Sequence, residues 1–145
     1  MSKDKNIEQL TVDLLNAIGE DPNREGLLRT PLRVAKAWDF FSTGYTQSID
    51  EIVNNALFSE DNKDMVVVRD VEFYSLCEHH LLPFFGTFDI AVFPKDKIAG
   101  ISKFNDLVDY LSNNLTLQEK ITQLASEIIQ KELEPDGVLT RVRAK

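Results

Sequence analysis

Soft metal ligands are scarce in this chain: one cysteine and two histidines in 145 residues. A single cysteine excludes an intrachain disulfide framework and suits a reducing compartment. No apolar run reaches the roughly 18 residues of a membrane span, so no membrane partner is expected. The start, Met1-Ser2-Lys3-Asp4-Lys5-Asn6, lacks the apolar stretch of a secretory signal, and the expected location is the cytoplasm. Basic residues number 16 against 24 acidic ones, a net charge of −8, which argues against nucleic acid as the main partner. What remains is 43% apolar and 28% charged, a globular rather than a disordered composition. The length suits one structural unit with a real core.

The first stretch reads as helix. Ile7, Leu10, Leu14 and Ile18 share one helical face, and Gly19 stands where a C-terminal cap would. Thr30-Pro31 reads as an N-cap with proline at the first helical position, followed by the stripe Val34, Ala35, Trp38 and Phe41 up to Gly44. Ser48-x-x-Glu51 suggests a short third helix. The middle reads as strand: 65–76 is rich in Val, Phe and Tyr, Phe88, Ile90 and Val92 alternate toward one buried face, and 97–101 is a shorter strand. Two helices follow, one carrying Phe104, Leu107, Val108 and Leu111, the other opening at Thr116-x-x-Glu119 and carrying Ile121, Leu124, Ala125 and Ile128. Pro135-Asp136-Gly137 is a turn, and 138–142 is a last strand whose sheet is expected to be cut short or completed by another chain. The order is α+β.

Every cysteine and histidine lies in Cys77-Glu78-His79-His80. Cys77 and His80 have the spacing with which one turn can offer a thiolate and an imidazole to one zinc, with His79 to spare. The bland alternative is a buried small thiol beside surface histidines. Gly100-Ile101-Ser102-Lys103 joins a strand end to a helix start, where free N–H groups and a lysine suit phosphate; an ordinary Ser102 cap with a solvated Lys103 explains the same pattern. In Gln118-Glu119 a carboxylate can accept from the amino-pyrimidinone edge of guanine, although Glu119 could equally complete a capping box with Thr116.

In order and spacing, Gly19-Glu20-Asp21-Pro22-Asn23-Arg24-Glu25-Gly26-Leu27, Thr30-Pro31-x-Arg33-Val34-Ala35-Lys36, Cys77-Glu78-His79-His80-Leu81-Leu82-Pro83-Phe84, Gly100-x-Ser102-Lys103 and Leu117-Gln118-Glu119-x-x-Thr122 resemble the GTP cyclohydrolase I family over nearly the whole chain. The resemblance implies a tunnelling fold, with N-terminal helices in 1–60 and the catalytic region in 61–145 as one structural unit, its antiparallel sheet packed against two helices. It implies zinc-dependent hydrolysis of GTP to 7,8-dihydroneopterin triphosphate and formate, at the entry to tetrahydrofolate or tetrahydrobiopterin. By the same resemblance Cys77 and His80 are metal ligands for Zn2+, and His79 is the catalytic proton donor or acceptor. Ser102 and Lys103 face the ribose and triphosphate, and Gln118 and Glu119 hold guanine. The implied assembly is a homo-oligomer, decamer-like, with active sites between subunits.

The sequence also departs from that family. Asp106 stands where an arginine is usual, Asn113 and Asn114 replace a basic pair, and Thr116 replaces a glutamine. The family pattern runs on to a His-x-Cys segment with the third zinc ligand, whereas this sequence ends at Ala144-Lys145, so a C-terminally shortened member is expected. The alternative is a catalytically impaired homologue that serves as an assembly or regulatory subunit and co-assembles with a full-length homologue. A third, weaker option is another tunnelling-fold enzyme acting on a pterin or deazapurine.

Overall fold

Alternation at Phe88, Ile90 and Val92 does what a period of two dictates: all three side chains lie on one sheet face and are buried. In a computed structural model of the chain, residues 3–53, 56–59, 61 and 63–145 are described. They fall into two units, Met1–Ser42 and Thr43–Lys145. The division expected after residue 60 falls at Glu60, outside the described residues. Among the described residues no helix is long and apolar enough to cross a membrane.

The first unit contains α1 (Lys3–Ala17) and α2 (Thr30–Phe41). Gly19 follows α1 with φ +88°, the left-handed conformation that favours glycine after a helix. The apolar face read from the sequence is not the one α1 uses. Leu10, Leu14 and Ile18 are exposed, whereas Thr11 is buried with its hydroxyl donating to the Ile7 carbonyl. The less exposed flank runs through Ile7, Thr11 and Leu15, one turn apart, so burial follows an i, i+4 row offset from the expected stripe. In α2, Ala35 is buried and Val34, Trp38 and Phe41 are half-buried, as their spacing implies. Thr30 is already helical: Arg29 occupies the cap position and no side chain caps it.

The second unit is α+β, consistent with the tunnelling fold. After a 3-10 turn at Thr43–Tyr45 it runs α3 (Ile49–Val53), β1 (Leu57–Ser59), β2 (Val66–Cys77), β3 (Pro83–Phe93), β4 (Lys97–Ala99), α4 (Ile101–Ser112), β5 (Leu115–Thr116), α5 (Gln118–Leu133) and β6 (Gly137–Ala144). One sheet has the order β5-β2-β3-β6, antiparallel except where β5 lies parallel to β2; β1 and β4 make a separate antiparallel pair. Phe73, Phe88, Ile90, Val92 and Val142 on one face of the larger sheet form a single core with Phe104, Leu107, Val108 and Leu111 of α4 and Ile121, Ala125, Ile129 and Leu133 of α5. Phe73 meets both Phe84 and Phe88 edge to face. At Gly86 a Cβ would stand 1.8 Å from the Arg143 carbonyl oxygen, so only glycine lets β3 and β6 pair there.

A bulge in β2 keeps this core continuous. The register with β3 shifts between Val68 and Val71, and Asp70 has φ +57°. The extra residue changes the parity of the strand, so Val68 and Val71 both pack on the core. Asp89 on β3 holds the bulge: it accepts from the Asp70 N–H at 3.0 Å and from Arg141 of β6 at 3.0 and 2.5 Å. Those bonds, the Asp70 N–H first and Arg141 second, hold its carboxyl below the ordinary value. A lowered folded-state value means the contribution is complete above the unfolded value of about 3.9 and disappears as pH falls through the folded one. Urea unfolding is expected to show Asp89→Asn less stable by about 1–2 kcal/mol at pH 7. The acid limb of the parent's stability curve should flatten in the variant, and an unchanged limb would remove Asp89 from this role.

Candidate functional site

The Cys77 to Leu82 loop is fixed by backbone bonds at the end of β2. The Cys77 N–H donates to the Leu82 carbonyl and the Leu81 N–H to the Cys77 carbonyl, both at 2.8 Å; the Glu78 N–H donates to the Thr116 carbonyl at 3.0 Å. Leu81 closes the turn at φ +58°. Cys77 is half-buried at the strand end, and His79 and His80 are exposed on the turn. Cys77 Sγ and His80 Nδ1 face each other at 4.0 Å. Zinc bonds of about 2.3 Å to sulfur and 2.0–2.1 Å to nitrogen at a tetrahedral angle set the two donors about 3.6 Å apart, so this pair fits one ion with slight closure. The His79 ring stands edge-on to His80, centroids 6.1 Å apart. Among the described residues no group of three or more His, Cys, Asp or Glu converges as a metal cage.

The start of α5 is brought to this loop. Thr116 pairs with Cys77 across the parallel β5–β2 contact, and Gln118 begins the helix two residues later. Lys120 Nζ reaches Glu78 Oε2 at 3.5 Å. The capping box expected from Thr116 and Glu119 is not formed. Thr116 is buried in β5, Leu117 occupies the cap position, and no side chain caps the helix. Glu119 is therefore exposed on the first turn without a capping role. Gln118 Nε2 donates to the Val142 carbonyl of β6 at 3.4 Å. Gln118, Glu119, Thr122 and Arg141 line an open groove of about 440 Å³ between α5 and β6.

Ser102 and Lys103 lie elsewhere. Both are in the first turn of α4, whose cap position is Gly100, so Ser102 is not the N-cap its type suggests. The far end of α4 adjoins the Cys77 region, where the Ser75 hydroxyl of β2 donates to the Ser112 carbonyl at 2.7 Å. At 1.5 Å per residue, ten residues of helix put Ser102 about 15 Å along the axis from that end. One chain thus joins Cys77, His79, His80, Gln118 and Glu119 into one neighbourhood and leaves Ser102 and Lys103 outside it.

The sequence model described as GTP cyclohydrolase I matches residues 7–145. A protein named GTP cyclohydrolase 1 from Leptospira biflexa is 50% identical over 139 residues, which covers 96% of this chain and 76% of its own length. One of the same name from Campylobacter jejuni is 46% identical over 141 residues, covering 97% of this chain and 74% of its own. A third, from Deinococcus radiodurans, is 48% identical over 133 residues, with shares of 92% and 62%.

The chain belongs to the GTP cyclohydrolase I family. It is a hydrolase of that family.

Two members of the site carry no separate signal in the sequence. Glu78 sits inside the Cys-Glu-His-His block, and Lys120 directly follows Gln118-Glu119. Only the fold shows that they meet, because 42 residues separate them. The strained turn at Leu81 gives a direct test of how the loop is held. Leu81→Gly relieves a left-handed penalty of about 1 kcal/mol, whereas the β-branched Leu81→Val adds to it. Chemical denaturation is expected to rank the variants Gly, Leu, Val from most to least stable; equal stability of Leu81→Val and the parent would contradict the geometry.

Proposed function

We propose that this protein is a GTP cyclohydrolase I: it hydrolyses GTP to 7,8-dihydroneopterin triphosphate and formate, the first step toward tetrahydrofolate and related pterins, in the cytoplasm. The observation that carries the reading is that the Cys77–His80 loop is tied by the Glu78–Lys120 pair to the first turn of α5, where Glu119 is exposed and caps nothing. Neither half has a structural task that accounts for it.

Cys77 and His80 would hold a zinc ion. When bound, the ion supplies Lewis acidity that makes water a nucleophile near neutral pH. The rest falls to the chain's own groups. The two oxygens of Glu119 accept from N1–H and the 2-amino group of guanine, a bidentate match that adenine cannot offer. The Gln118 amide, at the same helix start, adds a donor or acceptor to that edge. Addition of water at C8 places an electron pair on N7, which must take a proton. His79 has one ring nitrogen to donate and one to accept, so it can deliver that proton and take part in the transfers that open the ring and release formate. Ser102 and Lys103 bind the ribose and triphosphate. Because one chain leaves them outside the Glu119 neighbourhood, they come from a second copy in a homo-oligomer.

The test is incubation of zinc-supplemented protein with GTP, reading pterin fluorescence after oxidation and formate by coupled assay. Parent protein is expected to release one formate per pterin. Cys77→Ala and Glu119→Gln should each lose roughly 100-fold or more. No pterin from the parent, or full activity in Glu119→Gln, would overturn the reading.

A further inference from the structure

The lysine assigned to the phosphates is already occupied. Lys103 Nζ lies 2.9 Å from Asp106 Oδ2, one turn along α4. Its side chain is only 25% exposed. Lys103 lines a small apolar cleft together with Phe104, Leu107 and Ile128, and it also lines a separate depression of about 310 Å³. Besides Asp106 that depression holds Glu51 of α3 and Asp109 of α4. Burial, and then the neighbouring Asp106 carboxylate, raise the Asp109 carboxyl above its ordinary value. One cation thus faces three carboxylates where the proposed function puts a polyphosphate tail. An exposed i, i+3 pair on a helix would be a minor surface feature. Here three-quarters of the Lys103 side chain is covered, which limits where its ammonium can go, so contact with Asp106 and contact with a phosphate compete.

Resting on the proposed function, we propose that Asp106 is a specificity-determining residue of the phosphate subsite. By holding the Lys103 ammonium it lowers the affinity for a free polyphosphate tail and narrows the preference for a nucleoside triphosphate over a monophosphate. Asp106 touches the lysine rather than the reacting ring, so its removal changes binding of the tail without altering recognition of the base.

The probe is inorganic tripolyphosphate, titrated calorimetrically into the full chain at low and high salt. Asp106→Asn keeps the shape and removes the charge. It is expected to bind tripolyphosphate roughly tenfold tighter than the parent at low salt, with a smaller gain at high salt. Asp109→Asn removes the same charge from the same depression without a contact to Lys103, and should gain less than about threefold. Asp106→Asn within about twofold of the parent, or Asp109→Asn matching it, would overturn the proposal. The guanine assignment is read separately, from the parent's preference for GTP over ATP. Loss of that preference would sink the assignment of Glu119 while leaving the tripolyphosphate comparison to decide the role of Asp106.

Discussion

Three backbone hydrogen bonds at the end of β2 hold the Cys77–His80 loop against the start of α5. The Cys77 N–H to Leu82, the Leu81 N–H to Cys77 and the Glu78 N–H to Thr116 turn a strand end into a rigid loop and tie that loop to the segment from which α5 starts. Backbone groups near a core must be satisfied, so such bonds resist displacement more than exposed side-chain contacts do. A donor pair and a carboxylate 39 to 42 residues along the chain are thereby brought to the same neighbourhood. The loop is exposed enough to admit a ligand, and its orientation comes from strands that are not.

The sheet beneath it is built for continuity. The bulge at Asp70 changes the parity of β2 so that one apolar face runs from Val68 through Phe73, and Asp89 secures the irregularity with a charge-assisted bond to Arg141. α4 and α5 cover that face. The two ends of α4 lie far apart: the C-terminal end adjoins the Cys77 region, and the N-terminal end carries Ser102, Lys103 and Asp106. The proposed base-binding and phosphate-binding groups are therefore separated within one chain, and the proposed self-association would bring them together.

Much of this was legible in the residues. Alternation at 88–92 and the spacing in α4 and α5 give the core faces because burial enforces those periods. The Cys77–His80 pair stands out because the scarce ligand types are gathered in one place, whereas Glu119 is singled out by the family resemblance. The misreadings share one cause. Leu10, Leu14 and Ile18 satisfy helical spacing equally well whichever flank is covered, so periodicity alone could not choose the Ile7–Thr11–Leu15 row. Thr116 and Ser102 fit capping patterns by type, but a cap requires a backbone conformation, and β5 and the Gly100 turn claimed those positions first. The short β1–β4 pairing, the parallel β5 contact and the Glu78–Lys120 and Lys103–Asp106 pairs depend on distant or helical neighbours whose meeting no local pattern encodes.

The proposed function turns on the Cys77 thiolate and the His80 imidazole sharing one divalent ion beside Glu119, the proposed guanine-binding carboxylate. Zinc-edge X-ray absorption of the purified, zinc-equilibrated protein reads that coordination. The expected spectrum has a single sulfur neighbour at about 2.3 Å together with imidazole scattering, and the sulfur is lost in Cys77→Ala. A zinc environment of oxygen and nitrogen alone in the parent protein would contradict it.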